Sequence, residues 1–147
     1  MVPEDSKRIV GRFWEEVYNG GNLGLIEEIV APDYELHDPV NTDVHGHDGL
    51  RNLLEGIRDF APEAQVTIEA QMMAEGDHVV TRFTVRVPRQ GALATFAPAN
   101  EPLELSGISI SRVSGGRIEE SWVNWDAQRL LLGLDPSPAD WRWPPWR

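Results

Sequence analysis

Cysteine is absent from the 147 residues, so no disulfide framework, thiolate metal site or thiol nucleophile is available. Lysine occurs once, at Lys7 in what reads as the first helix. A Schiff base or a lysine-held phosphate would have that single donor, and both chemistries are set aside. Basic residues are scarce in general: 13 Lys and Arg stand against 24 Asp and Glu, a net charge of −11. Phosphate backbones and anionic lipid surfaces both draw on clustered Lys and Arg, so neither nucleic acid nor membrane is expected as a partner. Nowhere do ~18 consecutive apolar residues occur. The start, MVPEDSKRIV, carries acidic residues where a secretory signal needs an apolar stretch. A soluble, cytoplasmic protein is the expectation.

What is present suffices for one domain, residues 1–147, since a chain of this length buries roughly 68–70% of the surface it exposes when unfolded. Ile9, Val10, Phe13, Trp14, Val17 and Tyr18 recur at helical spacing, with Asp5 or Ser6 as N-cap and Asn19-Gly20-Gly21 as a stop. A shorter helix presents Leu25, Ile26, Ile29 and Val30 and ends at Pro32. Residues 33–49 read as an irregular polar segment holding three of the four histidines. Asp48 then caps a third helix with Leu50, Leu53, Leu54, Ile57 and Phe60 on one face.

Beyond Pro62 the period changes from helical to two. Val66 to Met72 and His78 to Val87 read as a hairpin around Glu75-Gly76-Asp77. Residues 88–102 form a long connection. A second hairpin spans Leu103 to Asp126, turning at Ser114-Gly115-Gly116. Leu130, Leu131 and Leu134 mark a short C-terminal helix, followed by a tail bearing Trp141, Trp143 and Trp146, a segment suited to covering a cavity mouth or a neighbouring subunit. Helices first and antiparallel strands after them specify an α+β domain with helices packed on a sheet.

The order of motifs is similar to the SnoaL-like polyketide cyclases of the NTF2-like superfamily. The resemblance rests on Ala31-Pro32-Asp33-Tyr34 leading to His37-Asp38-Pro39, Gly76-Asp77 before Arg82-Phe83, Ser106-Gly107 before Arg112, and Gly116-Arg117-Ile118 leading to Trp122. It implies a cone: three N-terminal helices on a strongly curved, mainly antiparallel sheet, with a short C-terminal helix and tail. It implies an apolar cavity for a hydrophobic or polycyclic small molecule, acid/base chemistry without cofactor or metal, and a homodimer or homotetramer joined through the outer face of the sheet. The family's catalytic aspartate and assisting histidine fall here on Val123 and Ser109, neither of which carries a proton near neutral pH.

Proton transfer therefore turns to other residues. Asp126, at the strand end beside Trp122 and Trp125, is either a carboxylate with a raised pKa or the N-cap of a helix beginning at Ala127. His37 would face the cavity from the loop over its mouth, with Asp38 bracing that loop through the Asn41 backbone. Trp14, Tyr18, Asp38, Ser109, Trp122, Val123 and Asn124 are the expected binding surface, Trp14 and Tyr18 with plain core packing as the alternative. Arg82 either reaches the cavity or pairs with Glu69 or Glu119. His45 and His47, near Asp43 and Asp48, match no compact metal motif and read as solvated loop residues. Three functions compete: cofactor-independent cyclisation or isomerisation of a polyketide-like intermediate; epoxide or ester hydrolysis, or a part in hydroxylation, using Arg82 with Asp126; and non-catalytic binding or assembly.

Overall fold

A computed structural model describes residues 3–70, 72–88 and 103–127. The predicted C-terminal helix and the tryptophan-bearing tail lie outside these residues. Helix α1 spans Pro3–Arg12 and continues through Phe13–Asn19 as wider π-helical turns, with Val10, Trp14 and Val17 buried. A 3₁₀ turn at Leu23–Leu25 leads into α2, Ile26–Ile29. The chain then enters strand β1, Val30–His37, crosses to the short β2, Val44–His45, and forms α3, Gly46–Phe60. Strands β3 (Gln65–Ile68), β4 (Met73–Glu75), β5 (His78–Val87), β6 (Leu103–Ser114) and β7 (Arg117–Trp125) follow.

The strands form one sheet in the order β2-β1-β7-β6-β5-β3, with β4 also on β5. Every pairing is antiparallel except β1 with β7, which is parallel. The architecture is thus the expected α+β cone with a mainly antiparallel sheet. The main core joins Val10, Val17, Ile26, Ile29 and Val30 from the first half to Val79, Val113 and Ile118 of the sheet. Among the described residues no helix is long and apolar enough to cross a membrane.

Four local expectations are corrected. Residues 33–49 are irregular only over 38–43: strand β1 runs to His37, with Tyr34 and Leu36 pointing inward and Glu35 and His37 out, a period of two short enough to be overlooked among polar neighbours. The second helix ends at Ile29, ahead of Pro32, because Val30 is already extended. Helix α3 begins at Gly46, so Asp48 lies in its first turn, bonded to Arg51, instead of capping it. The strand expected over Val66 to Met72 breaks after Ile68, and Met73–Glu75 forms the hairpin with β5 around Gly76, whose φ of +59° suits the turn.

Candidate active site

Strand β6 runs against the usual pattern. Its burial alternates regularly, yet Gly107, Ser109, Ser111 and Val113 face inward and Ile108 and Ile110 face out. The inward serines help line a cavity of about 490 Å³. Its walls are largely apolar: Phe13, Trp14 and Tyr18 from the first helix, Leu53, Ile57 and Phe60 from α3, and Phe83, Val85 and Val87 from β5. Gly107 lets this wall close, because a Cβ there would sit 2.5 Å from the Phe83 ring and 2.9 Å from Trp125 Cβ.

Polar atoms gather in two places. On the sheet, Ser111 Oγ lies 2.9 Å from Ser121 Oγ, the two residues being directly paired across β6 and β7. The Tyr34 phenol lines the same cavity beside them, close enough for the Ser121 hydroxyl to act on its ionisation. All three side chains are at least nine-tenths buried. Burial pushes the Tyr34 hydroxyl up to about 12, the Ser121 hydroxyl opposing this and the charge of Asp38 adding to it. Tyr18 is likewise pushed up to about 12 by burial, with Arg58 opposing.

The second place is Asp38. Continuing the inward series Tyr34, Leu36, it enters the cavity just past the end of β1. Its Oδ1 accepts the backbone N–H of Val40 at 2.8 Å and of Asn41 at 3.0 Å, the loop bracing expected from sequence. Trp125 Nε1 donates to the same carboxylate at 3.2 and 3.3 Å. Among the described lining residues Asp38 is the sole carboxylate, and none is Lys, Arg or His. Two further buried atoms, Trp14 Nε1 and Thr81 Oγ1, have no hydrogen-bond partner among the described residues.

Of the residues expected at the site, Trp14, Tyr18, Asp38, Ser109 and Val123 line the cavity, and His37, Arg82, Trp122, Asn124 and Asp126 do not. His37 is corrected by strand alternation: it points outward, stacks on Trp122 at 5.5 Å and bonds Glu120 at 2.6 Å. Trp122 is in turn stacked by His78 on the same outer face. Arg82 is exposed on that face too, opposite Ile108, and Arg112 holds Glu119, one of its expected partners. Asn124, also paired with Ile108, is exposed. Asp126 extends the ladder through its backbone N–H to Ser106 at 2.9 Å, and helical backbone begins at Ala127.

His47 bonds the Val30 carbonyl at 2.6 Å from inside α3, so it is a structural link and not a loop residue. One trio has metal-ligand proximity: Glu35, His37 and Glu120 bring one atom each within 4.8 Å of one another, on the outer face. Arg112 already engages Glu120 there. Sequence reasoning passed over Tyr34, Ser111 and Ser121. The serines were legible as the inward set opposite Ile108 and Ile110, and Tyr34 as the start of the inward series that reaches Asp38.

A curved sheet walled by helices around a deep apolar pocket with a hydroxyl-lined floor defines a cavity-bearing α+β cone. The chain belongs to the SnoaL-like polyketide cyclase family, whose model matches residues 8–134. Among solved structures it is similar to IdmH of Streptomyces antibioticus, assigned as a polyketide cyclase, at 26% identity over 88% of this chain and 97% of that one, with a TM-score of 0.75. AclR of Streptomyces galilaeus, assigned as a hydroxylase, shares the fold at 23% identity, 93% and 89% coverage and a TM-score of 0.73. TsrD of Streptomyces laurentii does so at 18% identity, 93% and 99% coverage and a TM-score of 0.74. No curated protein sequence matches the chain.

Proposed function

We propose that this protein catalyses a cofactor-independent acid/base rearrangement, cyclisation or isomerisation, of an uncharged polyketide-like carbonyl compound held in its cavity. One observation carries the reading: Asp38 is the sole carboxylate among the described residues lining a largely apolar pocket. Family membership supports the cyclase class. Because Val123 and Ser109 stand where the family's proton carriers are implied, Asp38 takes over that work. Its carboxylate removes a proton from the carbon next to a carbonyl and returns it to carbon or oxygen after rearrangement. The Val40 and Asn41 amides and the Trp125 indole hold it in one orientation while it does so.

A ligand without charge matches the lack of Lys, Arg and His among the described lining residues, since a buried unpaired carboxylate on the ligand would be costly. The hydrolase reading drew on Arg82 and Asp126, which are absent from the cavity wall, and it loses its support.

The test uses β-tetralone, a compact bicyclic ketone with acidic C–H bonds, in heavy water. The protein accelerates deuterium uptake next to the carbonyl, followed by nuclear magnetic resonance, and Asp38→Asn lowers that rate by about 10²–10⁴. Binding of the ketone without any acceleration supports the non-catalytic module instead.

A further inference from the structure

The buried serines call for an explanation that stability does not supply. Sealing a hydroxyl from water costs on the order of 1–3 kcal/mol unless it is bonded, and exposing isoleucine forgoes burial. Yet β6 turns Ser109 and Ser111 inward and Ile108 and Ile110 outward. Directly across the ladder from Ser111, Ser121 repeats the choice. A violation of the local rule at paired positions lining a pocket is the mark of a site.

We propose that Tyr34, Ser121 and Ser111 form a directional chain of hydroxyls that binds the carbonyl oxygen of the ligand and stabilises it as it becomes an enolate. The proposal rests on the acid/base reading above and supplies its missing half. The 2.9 Å Ser111–Ser121 contact allows either hydroxyl to donate; in the proposed polarity Ser111 donates to Ser121 and Ser121 turns its hydrogen to the neighbouring Tyr34 oxygen, which frees the Tyr34 O–H to point at the ligand. Each donor in such a chain strengthens the next.

The step balances without any added reagent. Asp38 accepts the proton from the carbon next to the carbonyl. The C–H electron pair becomes the new C=C bond, and the carbonyl π pair moves to oxygen, where the Tyr34 hydroxyl meets the charge by hydrogen bonding. Collapse of the enolate onto a second carbonyl, or its reprotonation at another carbon, takes the proton back from Asp38. Tyr34 is thus a catalytic residue, and Ser121 and Ser111 are positioning residues. With its hydroxyl pushed up to about 12, Tyr34 stays protonated at neutral pH and remains a donor throughout. The nearby Asp38 charge favours the same neutral state before proton transfer, and its neutralisation on accepting the proton lets negative charge grow on the ligand instead.

Infrared difference spectroscopy of bound β-tetralone, alongside deuterium uptake, separates the two halves. The expected result is a carbonyl stretch displaced to lower frequency relative to the same ketone in hydrocarbon. Tyr34→Phe abolishes that displacement and slows uptake by about 10²–10³. Ser121→Ala reduces both in part, and Ser121→Thr, which keeps the hydroxyl, restores them; this second position carries the test should Tyr34→Phe lower the melting temperature. An undisplaced band in the unmodified protein overturns the proposal, as does uptake in folded Tyr34→Phe at the unmodified rate. Asp38→Asn is expected to keep the displaced band while losing uptake. If instead Asp38→Asn exchanges normally, the assignment of Asp38 fails while the band still judges the hydroxyls.

Discussion

Removing the indole N–H of Trp125 loosens the hold on Asp38 by an amount the geometry sets. The contact is a hydrogen bond to an ionised group, a class worth about 1.5–3 kcal/mol. Here the donor is shared between Oδ1 and Oδ2 at 3.3 and 3.2 Å, the long end of the useful range, and both residues are only partly buried. The lower bound, about 1.5 kcal/mol, is therefore the expected coupling. Trp125→Phe also trims a ring that packs against the main core, so the single variant overstates the bond. A double-mutant cycle with Asp38→Ala isolates it. In urea unfolding, with a slope of about 2 kcal/mol per molar for a chain of this size, 1.5 kcal/mol appears as a midpoint change of about 0.7 M. In a thermal melt the same energy is about 3–6 °C. Variants whose effects add to within about 0.5 kcal/mol would refute the claim that Trp125 anchors the carboxylate.

Both tyrosines of the chain, Tyr18 and Tyr34, have hydroxyls pushed up to about 12 by burial. The unfolded chain ionises near 10 and the folded one near 12, so folding binds protons more tightly and stability falls as pH rises through that window. Ultraviolet titration of the native protein is expected to show tyrosinate rising with a midpoint near 12, whereas in concentrated urea the midpoint lies near 10; a native midpoint at the lower pH contradicts the burial. On the outer face, His37 and then Arg112 hold the Glu120 carboxyl below its usual range. That contribution exists above the unfolded pKa and is lost as pH falls through the folded one, so His37→Ala should raise the Glu120 midpoint in a carbon-detected titration. Gly107→Ala drives a methyl into the Phe83 ring and Trp125 Cβ, a clash expected to destabilise by about 1–3 kcal/mol in urea unfolding; an unchanged midpoint would show that the ring has room to move. Ile108 and Ile110, 49% and 37% exposed beside Trp122, give the outer face apolar area for a second copy. We expect a homo-oligomer in sedimentation that Ile110→Glu dissociates, and a monomer at micromolar concentration for the unmodified chain counts against it.

The hairpin of β6 and β7 could be read directly because its alternation is long and its turn glycines are unmistakable. Strand β1 could not be read so easily. Two inward residues, Tyr34 and Leu36, are too few to announce a period among Pro32, Asp33 and Glu35, and its partner β7 is parallel and distant in sequence. From that one omission the misplacement of His37 follows, since a loop leaves orientation open while a strand decides it. Val123 and Ser109 are on the cavity wall as the resemblance implied, because they belong to the strands that were legible. Ser109 reads on the cavity side with Ile108 and Ile110 opposite, but Ser111 and Ser121 are not carried over with it, since a serine in an alternating strand reads by default as the wet half of the pattern. Only a count of which half held the isoleucines reveals the inversion.

The parallel pairing of β1 with β7 has a bearing on how the protein is made. Leu36 meets Ser121 and His37 meets Trp122 only after β7, more distant in sequence than every other described strand, has been synthesised. Until then Tyr34 and Leu36 have no neighbouring strand on that side, and the pocket lacks the wall that carries Ser121, Val123 and Trp125. Long-range pairings of this kind are slow to form, because chain closure must precede the contacts that reward it. The helices and the β5–β6 ladder can gather early, but the cavity is sealed by the last described strand. A nascent chain stalled before β7 would therefore display an open apolar trough, a surface that needs protection from its neighbours until that strand has joined the sheet.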